Sequence, residues 1–402
     1  MTAAGPGPWP EDLVAPRYDV WLGSVLPAVA ASLGVAVGRR GDADDGGDAG
    51  HGSDADHGPD GLTFPEARSA VVALVDGLGA EQLRRRGGHA PFLRTLPIAH
   101  PRLACGYPST TASSTAGLST GLAPGTHGLV GWQTLMPGTD RLLNHLSWDG
   151  GPDPREWQPH PTVFEALAAA GLTVTHVAPS VFERSGLTRA TLRGTGFRPA
   201  DTIPERVAAV RELVRRPGRQ LVYVYFGEVD KAGHVHGPDS YEWTDRVEEV
   251  DAALAEIAAA LPPGTSLTVT ADHGMVPAPE EERLDLADHA ELAHGIRHLG
   301  GEPRAPQPYC EPGAVADVLA AWREVLADRA VVLTREEAVA AGWFGPVTET
   351  VLPRIGDLVV AMRGRATVLD SRALRTQVLR LRGHHGSLTA EEVLVPLLHR
   401  PG

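Results

Sequence analysis

Ser69-Ala-Val-Val-Ala-Leu-Val75 is a short, uninterrupted apolar run rich in β-branched residues, and it ends on Asp76. A run of this kind reads as a strand buried on both faces of a sheet. Residues 221–226 and 267–270 repeat the pattern, and 173–177 repeats it more weakly. Helical stretches lie between them, at 162–170 before Gly171 and at 241–261 before Pro262. Strands and helices alternating in this way call for an α/β fold with a mostly parallel central sheet flanked by helices on both faces. The carboxyl ends of parallel strands share one edge, which is where open α/β proteins bind ligands. Asp76 follows the first run directly, Asp230 comes just after the second, and Asp272-His273-Gly274 follows the third. Three carboxylates gathered on one edge repel one another unless cations hold them together.

The neighbouring residues sharpen that expectation. Asp230 and His234 are four residues apart, so one helical turn would bring both to a single ion. Asp272 and His273 are adjacent, which suits ligation from a turn. Mixed Asp and His donors favour zinc or manganese over calcium or magnesium. A hydroxyl-rich segment, Tyr107-Pro-Ser-Thr-Thr-Ala-Ser-Ser-Thr115, precedes Ala-Gly-Leu-Ser-Thr-Gly and reads as a loop opening into a helix N-terminus. Free N–H groups there suit an anionic phosphate oxygen. A threonine hydroxyl becomes nucleophilic only when a base or a metal lowers its pKa.

With 402 residues, the chain exceeds a single small core. Four parts are expected: an N-terminal segment over 1–61, a metal-binding α/β core over 62–276, an inserted α+β cap over 277–380, and completion of the core over 381–402. The insertion is marked by many His, Pro and Gly residues, a helix near 314–327, and strands near 330–333 and Leu358–Met362. Residues 41–61, nearly all Gly, Asp, Ala and His, bury too little apolar surface to order themselves and read as a flexible loop. Their Asp spacing resembles a calcium loop but lacks the closing Glu. Residues 20–38 carry no charge yet are interrupted by Pro27 and several Gly and Ser, so a buried soluble helix is preferred to a membrane anchor. The formal charge of -14 disfavours nucleic-acid polymers and anionic membranes as partners, and leaves room for a small phosphorylated substrate at a metal site. Cys105 and Cys310 form no zinc motif and are read as unpaired thiols of a cytoplasmic protein, with Ala28 and Ala30 leaving an exported alternative.

Together these motifs resemble the nucleotide pyrophosphatase/phosphodiesterase branch of the alkaline phosphatase superfamily, also called type I phosphodiesterases. Pro-Ser-Thr-Thr111 matches the nucleophile loop, and Thr120-Gly121-Leu122, Pro124 and His127-Gly128 follow without a gap. Asp230-Lys-Ala-Gly-His234-Val-His-Gly-Pro238, Asp272-His273-Gly274 and Gly383-His-His385-Gly386 match the remaining motifs in order. The resemblance implies two divalent ions, zinc or alternatively manganese. Asp230, His234 and His385 would hold one; Asp76, Asp272 and His273 would hold the other, with Thr111 as its exchangeable ligand. Thr111 would attack phosphorus and form a phospho-threonine. Where nucleotide-cleaving members have an Asn three residues past the nucleophile, this chain has Ser114, a shorter donor to a phosphoryl oxygen. The resemblance therefore implies the chemistry more firmly than a nucleotide substrate.

The leading reading is a metal-dependent hydrolase of phosphoric diester or pyrophosphate bonds. A phosphonoacetate hydrolase or phosphomonoesterase with the same metals is the alternative within the superfamily, and a phosphate-transfer mutase ranks lower. No Cys or Ser stands in the context a sulfatase requires. A non-catalytic metal-binding protein that kept the fold is the alternative of another class. Taken singly, Asp76 would be a turn residue and Asp272-His273 a capping pair. His236 and His384 are expected beside the ligands, His127 in a structural role, and His51, His57, His289, His294 and His298 at the surface. Substrate choice is expected from the insertion and from loops near Trp132, Trp148 and Trp157.

Overall fold

The computed structural model describes residues 9–37 and 61–402 of the chain. The Gly/Asp-rich stretch read as a flexible loop, including His51 and His57, lies outside the described residues except for Gly61. A seven-stranded sheet forms the centre. Its strands are β1 (Ser69–Val75), β2 (Ile98–Ala104), β3 (Thr173–Ala178), β4 (Gly196–Pro199), β5 (Gln220–Phe226), β6 (Thr265–Thr270) and β7 (Leu394–Arg400). Their order across the sheet is β2-β7-β6-β1-β5-β3-β4. β1 pairs in parallel with β5 and β6, and β3 in parallel with β5 and β4. Only β7 runs against its neighbours, β2 and β6. The expected α/β architecture with a largely parallel sheet is therefore present, with one antiparallel strand placed inside it.

Register decides where the site forms. Val75 lies opposite Phe226, and Leu74 opposite Thr270. The three central strands thus end at nearly the same level, and the chain segments that follow them emerge side by side. β1 and β6 are buried along almost their whole length, β1 as an apolar run and β6 with the hydroxyls of four Thr and Ser residues buried among Leu267 and Val269, as strands covered on both faces.

Four helices matter for the site. α1 (Val25–Ser32) follows a short 3₁₀ turn, and this buried segment accounts for the uncharged stretch over 20–38. Among the described residues, no helix is long and apolar enough to cross a membrane. α2 (Thr111–Thr120) packs against this N-terminal segment. Trp21 lies so close to Gly117 that a Cβ there would stand 2.6 Å from the indole ring. α3 (Glu228–His236) leaves β5 after a single intervening Gly227. α4 (Tyr241–Ala260) then runs back along the sheet, burying Trp243, Val247, Leu254 and Ile257.

Between β6 and β7 the chain builds smaller sheets: the hairpin Ile296–Glu302/Ala305–Cys310, the antiparallel pair Ala330–Thr334/Leu358–Met362, and the parallel pair Arg283–Asp285/Thr367–Leu369. They share a separate core around Leu286, Trp322, Leu326, Val360 and Met362. Cys105 and Cys310 are both buried and unpaired.

Candidate metal centre

Each acidic or imidazole side chain at the sheet edge is placed by a different local device. Asp76 is the first residue after β1, and its N–H donates to Phe226 O at 2.9 Å. Gly77 then turns the chain with φ +74. Its N–H donates to Asp272 Oδ1 at 3.2 Å, tying the ends of β1 and β6 together. Asp230 falls in the first turn of α3, and His234 one turn later brings Nε2 to 3.3 Å from Asp230 Oδ1. The four-residue spacing thus acts through a helical turn.

The three histidines share one arrangement. His234 Nδ1 lies 2.8 Å from Gly383 O, His273 Nδ1 2.9 Å from Gly274 O, and His385 Nδ1 2.8 Å from Ser109 O. A backbone carbonyl can only accept, so each Nδ1 carries the proton and each Nε2 is left with its lone pair for a metal. Asp230, His234 and His385 form one group of donors within 4.8 Å of one another, and Asp76, Asp230 and His273 form a second. Asp230 is common to both. Asp272 stands just outside the second group, with Oδ2 3.6 Å from His273 Nε2. Thr111 Oγ1 lies 3.2 Å from His273 Nε2, at the first residue of α2. No side chain caps that helix, so its first amides are free to receive an anion.

The electrostatics show what is missing from the protein alone. Burial, then the charges of Asp272 and Asp230, hold the Asp76 carboxyl well above the usual carboxylate range. Asp76 Oδ1, Asp230 Oδ1 and Asp272 Oδ2 are all buried without a hydrogen-bond partner among the described residues. Burial, with His273 and His234 alongside, keeps His385 well below the ordinary imidazole value and therefore neutral. Converging unpartnered carboxylate oxygens and neutral Nε2 atoms are the donor set that a divalent cation satisfies.

The loop carrying the last histidine is locked to the hydroxyl loop. Ser109 N donates to Gly386 O at 3.0 Å, Gly386 N to Ser109 Oγ at 3.1 Å, and Ser109 Oγ to Ser387 O at 2.8 Å. Behind it, the fully buried Arg304 and Glu392 pair through two hydrogen bonds of 3.1 and 2.6 Å. Glu392 also accepts from Ser387 N at 3.0 Å.

Two cavities meet at Thr111 and Asp230. One, of about 190 Å³, runs along the Asp76 side and is walled by Phe182, Leu187, Leu192, Tyr223 and Tyr225, with His176 in its lining. The other, of about 230 Å³, lies on the His234 and His385 side and is lined by Trp132, Glu302, Leu381 and His384. Neither is lined by a lysine or arginine.

Several functional neighbours carry no signal in the sequence. Tyr225, near the end of β5, donates its hydroxyl to Asp76 Oδ2, across 149 positions of chain. Glu302 reaches the site from the tip of the inserted hairpin. Ser114 sits almost fully buried beside the Cys105 thiol and lines neither cavity, whereas Thr115 lines the first. Of the other histidines, His127 is buried, His384 lines the second cavity, and His236 is exposed, 3.8 Å from Glu242.

Comparison with known proteins agrees with this geometry. The family described as type I phosphodiesterase/nucleotide pyrophosphatase matches residues 70–388. An uncharacterized pyrophosphatase/phosphodiesterase of Schizosaccharomyces pombe is 27% identical over 247 residues, 58% of this chain and 50% of that protein. The chain thus spans about half the length of that relative. Murine ectonucleotide pyrophosphatase/phosphodiesterase 5, solved as an inactive Thr-to-Ala variant with AMP, superposes with a TM-score of 0.66 at 18% identity, covering 82% of this chain and 87% of that one. Phosphonoacetate hydrolase of Sinorhizobium meliloti, solved with phosphonoformate, gives 0.62 at 21% identity, covering 84% and 91%. At such identities the two structures show a shared fold.

Proposed function

The chain belongs to the type I phosphodiesterase/nucleotide pyrophosphatase family, and we propose that it hydrolyses a phosphoric diester or pyrophosphate bond through a phospho-threonine on Thr111. The observation that carries this reading is Thr111 Oγ1 at a helix N-terminus, 3.2 Å from His273 Nε2, between two Asp/His donor groups. Asp230, His234 and His385 would hold one divalent ion, and Asp76, Asp272 and His273 the other, zinc being the better fit and manganese the alternative. Two such ions would lower the pKa of a bound hydroxyl or water and neutralise a departing oxygen.

The protein's own contribution begins with placement. The free amides at the start of α2 receive a non-bridging phosphoryl oxygen as charge builds on it. Thr111 Oγ1 forms the new bond to phosphorus while the ester bond to the departing alcohol breaks. The alcohol leaves as the first product, and the chain holds a phospho-threonine. Water then attacks phosphorus, the bond to Oγ1 breaks, and the Thr111 hydroxyl is restored as phosphate or a phosphomonoester departs. Tyr225 holds the Asp76 carboxylate in place, and the backbone acceptors keep the three imidazoles in one tautomer.

The two cavities favour a diester over the alternatives. A phosphorus bearing two organic substituents can place one in each. A phosphonoacetate or a phosphomonoester brings extra negative charge, and neither cavity offers a lysine or arginine to meet it. The aromatic walls of the first cavity suit a nucleobase, in keeping with the AMP held by the murine relative. The test assays bis-p-nitrophenyl phosphate, p-nitrophenyl phosphate and phosphonoacetate side by side with zinc-loaded protein and with Thr111→Ala. The diester is expected to turn over fastest, and the variant to lose at least a thousandfold in kcat while retaining its metal. Equal rates for wild type and variant would return the chain to the non-catalytic alternative, and a protein that binds neither zinc nor manganese would overturn the metal reading itself.

A further inference from the structure

Glu302 is the one acid of the second cavity outside the metal-ligand residues. It closes the inserted hairpin strand, and only 4% of its surface is exposed. Oε1 accepts the Trp132 N–H at 2.6 Å and the Thr110 hydroxyl lies beside the carboxyl, while Oε2 is buried and makes no hydrogen bond among the described residues. The nearest cation along the chain, Arg304, is fully engaged with Glu392 and with the carbonyls of Met362 and Ala366. The rest of the wall is largely apolar, from Trp132, Leu146, Pro303, Val378 and Leu381. A buried carboxyl half-satisfied by the protein and facing no counter-charge is costly to retain. The same cavity opens onto Thr111, His234 and His385, so the group that completes Glu302 would arrive attached to the phosphorus.

Resting on the diester reading above, we propose that Glu302 selects the substrate, its Oε2 pairing with a protonated amine at the end of a short substituent held in the second cavity. A hydroxyl would satisfy the hydrogen bond and leave the carboxyl in its protonated form, whereas an ammonium supplies the hydrogen bond and favours the ionised form. Burial pushes the empty carboxyl up to about 8. Pairing with a cation reverses that cause and holds the carboxylate ionised. Trp132 also lines this cavity, and an aromatic side chain there favours a cation. The cavity is small enough, at about 230 Å³, to hold an aminoalkyl group and to refuse a polymer.

The experiment uses three p-nitrophenyl phosphodiesters, whose second substituent is 2-aminoethyl, 2-hydroxyethyl or ethyl, with the zinc-loaded full chain. The aminoethyl ester is expected to exceed the other two in kcat/KM by at least tenfold. Glu302→Gln, which keeps the acceptor for the Trp132 N–H, is expected to bring the three values within about twofold of one another. Equal values in the wild type, or an equal loss for all three esters in the variant, overturn the proposal. A hydroxyethyl ester as good as the aminoethyl ester also overturns it, because charge would then play no part. If no diester turns over, the diester reading fails, and a binding measurement decides Glu302 separately. Calorimetry of phosphoethanolamine and ethyl phosphate on the zinc-loaded wild type and variant should show a tenfold preference for the amine that Glu302→Gln removes. Equal affinities in the wild type refute the role outright.

Discussion

A single methyl group at Gly77 should damage both the stability and the metal affinity of this protein. Gly77 has φ +74, where an L-residue with a Cβ costs about 1–2 kcal/mol. A Cβ built there stands 2.7 Å from Asp230 Cα and 2.9 Å from Asp230 Cβ, against ordinary contacts of 3.4–4 Å. These contacts are with the backbone and Cβ of Asp230 at the start of α3, so no flexible side-chain tip can swing aside. Overpacking of this kind costs about 1–3 kcal/mol, while the reduced freedom of the unfolded chain offsets about 0.4–1 kcal/mol. Gly77→Ala is therefore expected to lose about 2–4 kcal/mol. Relief of the clash must move Asp230 by several tenths of an ångström, beyond the roughly 0.2 Å that a metal site tolerates in its ligand distances. Because Asp230 belongs to both donor groups, affinity at both sites should fall at least tenfold. Urea unfolding of the chelator-stripped protein measures the first effect, and competition with a chromophoric chelator measures the second. Gly88→Ala is the control, since a Cβ there meets nothing within 4 Å. A loss under 1 kcal/mol at Gly77, with zinc affinity within threefold of wild type, would refute this account of how the three strand ends are held.

Tyr225→Phe removes the hydroxyl that donates to Asp76 Oδ2, and metal affinity should drop about 10–100-fold; chelator competition reads it, and a change within threefold sinks the assignment. Acid should destabilise the fold for a reason separate from the metals. Burial holds His127, His145 and His176 down at about 3, 4 and 3, against 6.5 for an ordinary imidazole. The unfolded chain takes up these protons first, so their contribution is complete above pH 6.5 and is lost as pH falls towards 4. Each site supplies a slope of up to about 1.4 kcal/mol per pH unit, together about 4. Urea midpoints of chelator-stripped protein should fall sharply between pH 7 and pH 5, and equal midpoints would rule the effect out.

The parts of the fold that were plain in the sequence are those where burial acts on both faces. β1 and β5 are apolar along nearly their whole length and β6 is rich in β-branched residues, so their composition betrays them. β2 is an exposed edge strand carrying His100, Pro101 and Arg102, tolerable only where one side pairs with nothing, and no apolar run marks it. β7 has the composition of a core strand, yet nothing local reveals its antiparallel placement between β2 and β6. The same division holds at the centre of the molecule. Asp76, Asp230 and Asp272 could be found because each follows a recognisable strand, and His234 because its spacing matches a helical turn. Tyr225 and Glu302 meet their partners across 149 and 170 positions of chain, and only the register of the sheet and the fold of the inserted hairpin bring them there. The position of Ser114 depends on which way α2 rolls against Trp21, a packing outcome that residue order alone does not determine.

The slot filled by β7 also sets the order in which the sheet and the donor groups can be completed. A ribosome releases β1, β2, β5 and β6 well before residues 394–400, so the sheet waits with a gap between β2 and β6. His385 and its lock on Ser109 emerge in the same late stretch. A chain made only as far as the inserted sheets thus lacks both the strand that seats its edge and the imidazole that completes one donor group. A nascent chain therefore cannot gather Asp230, His234 and His385 into one donor group until the segment that follows the inserted sheets has been made.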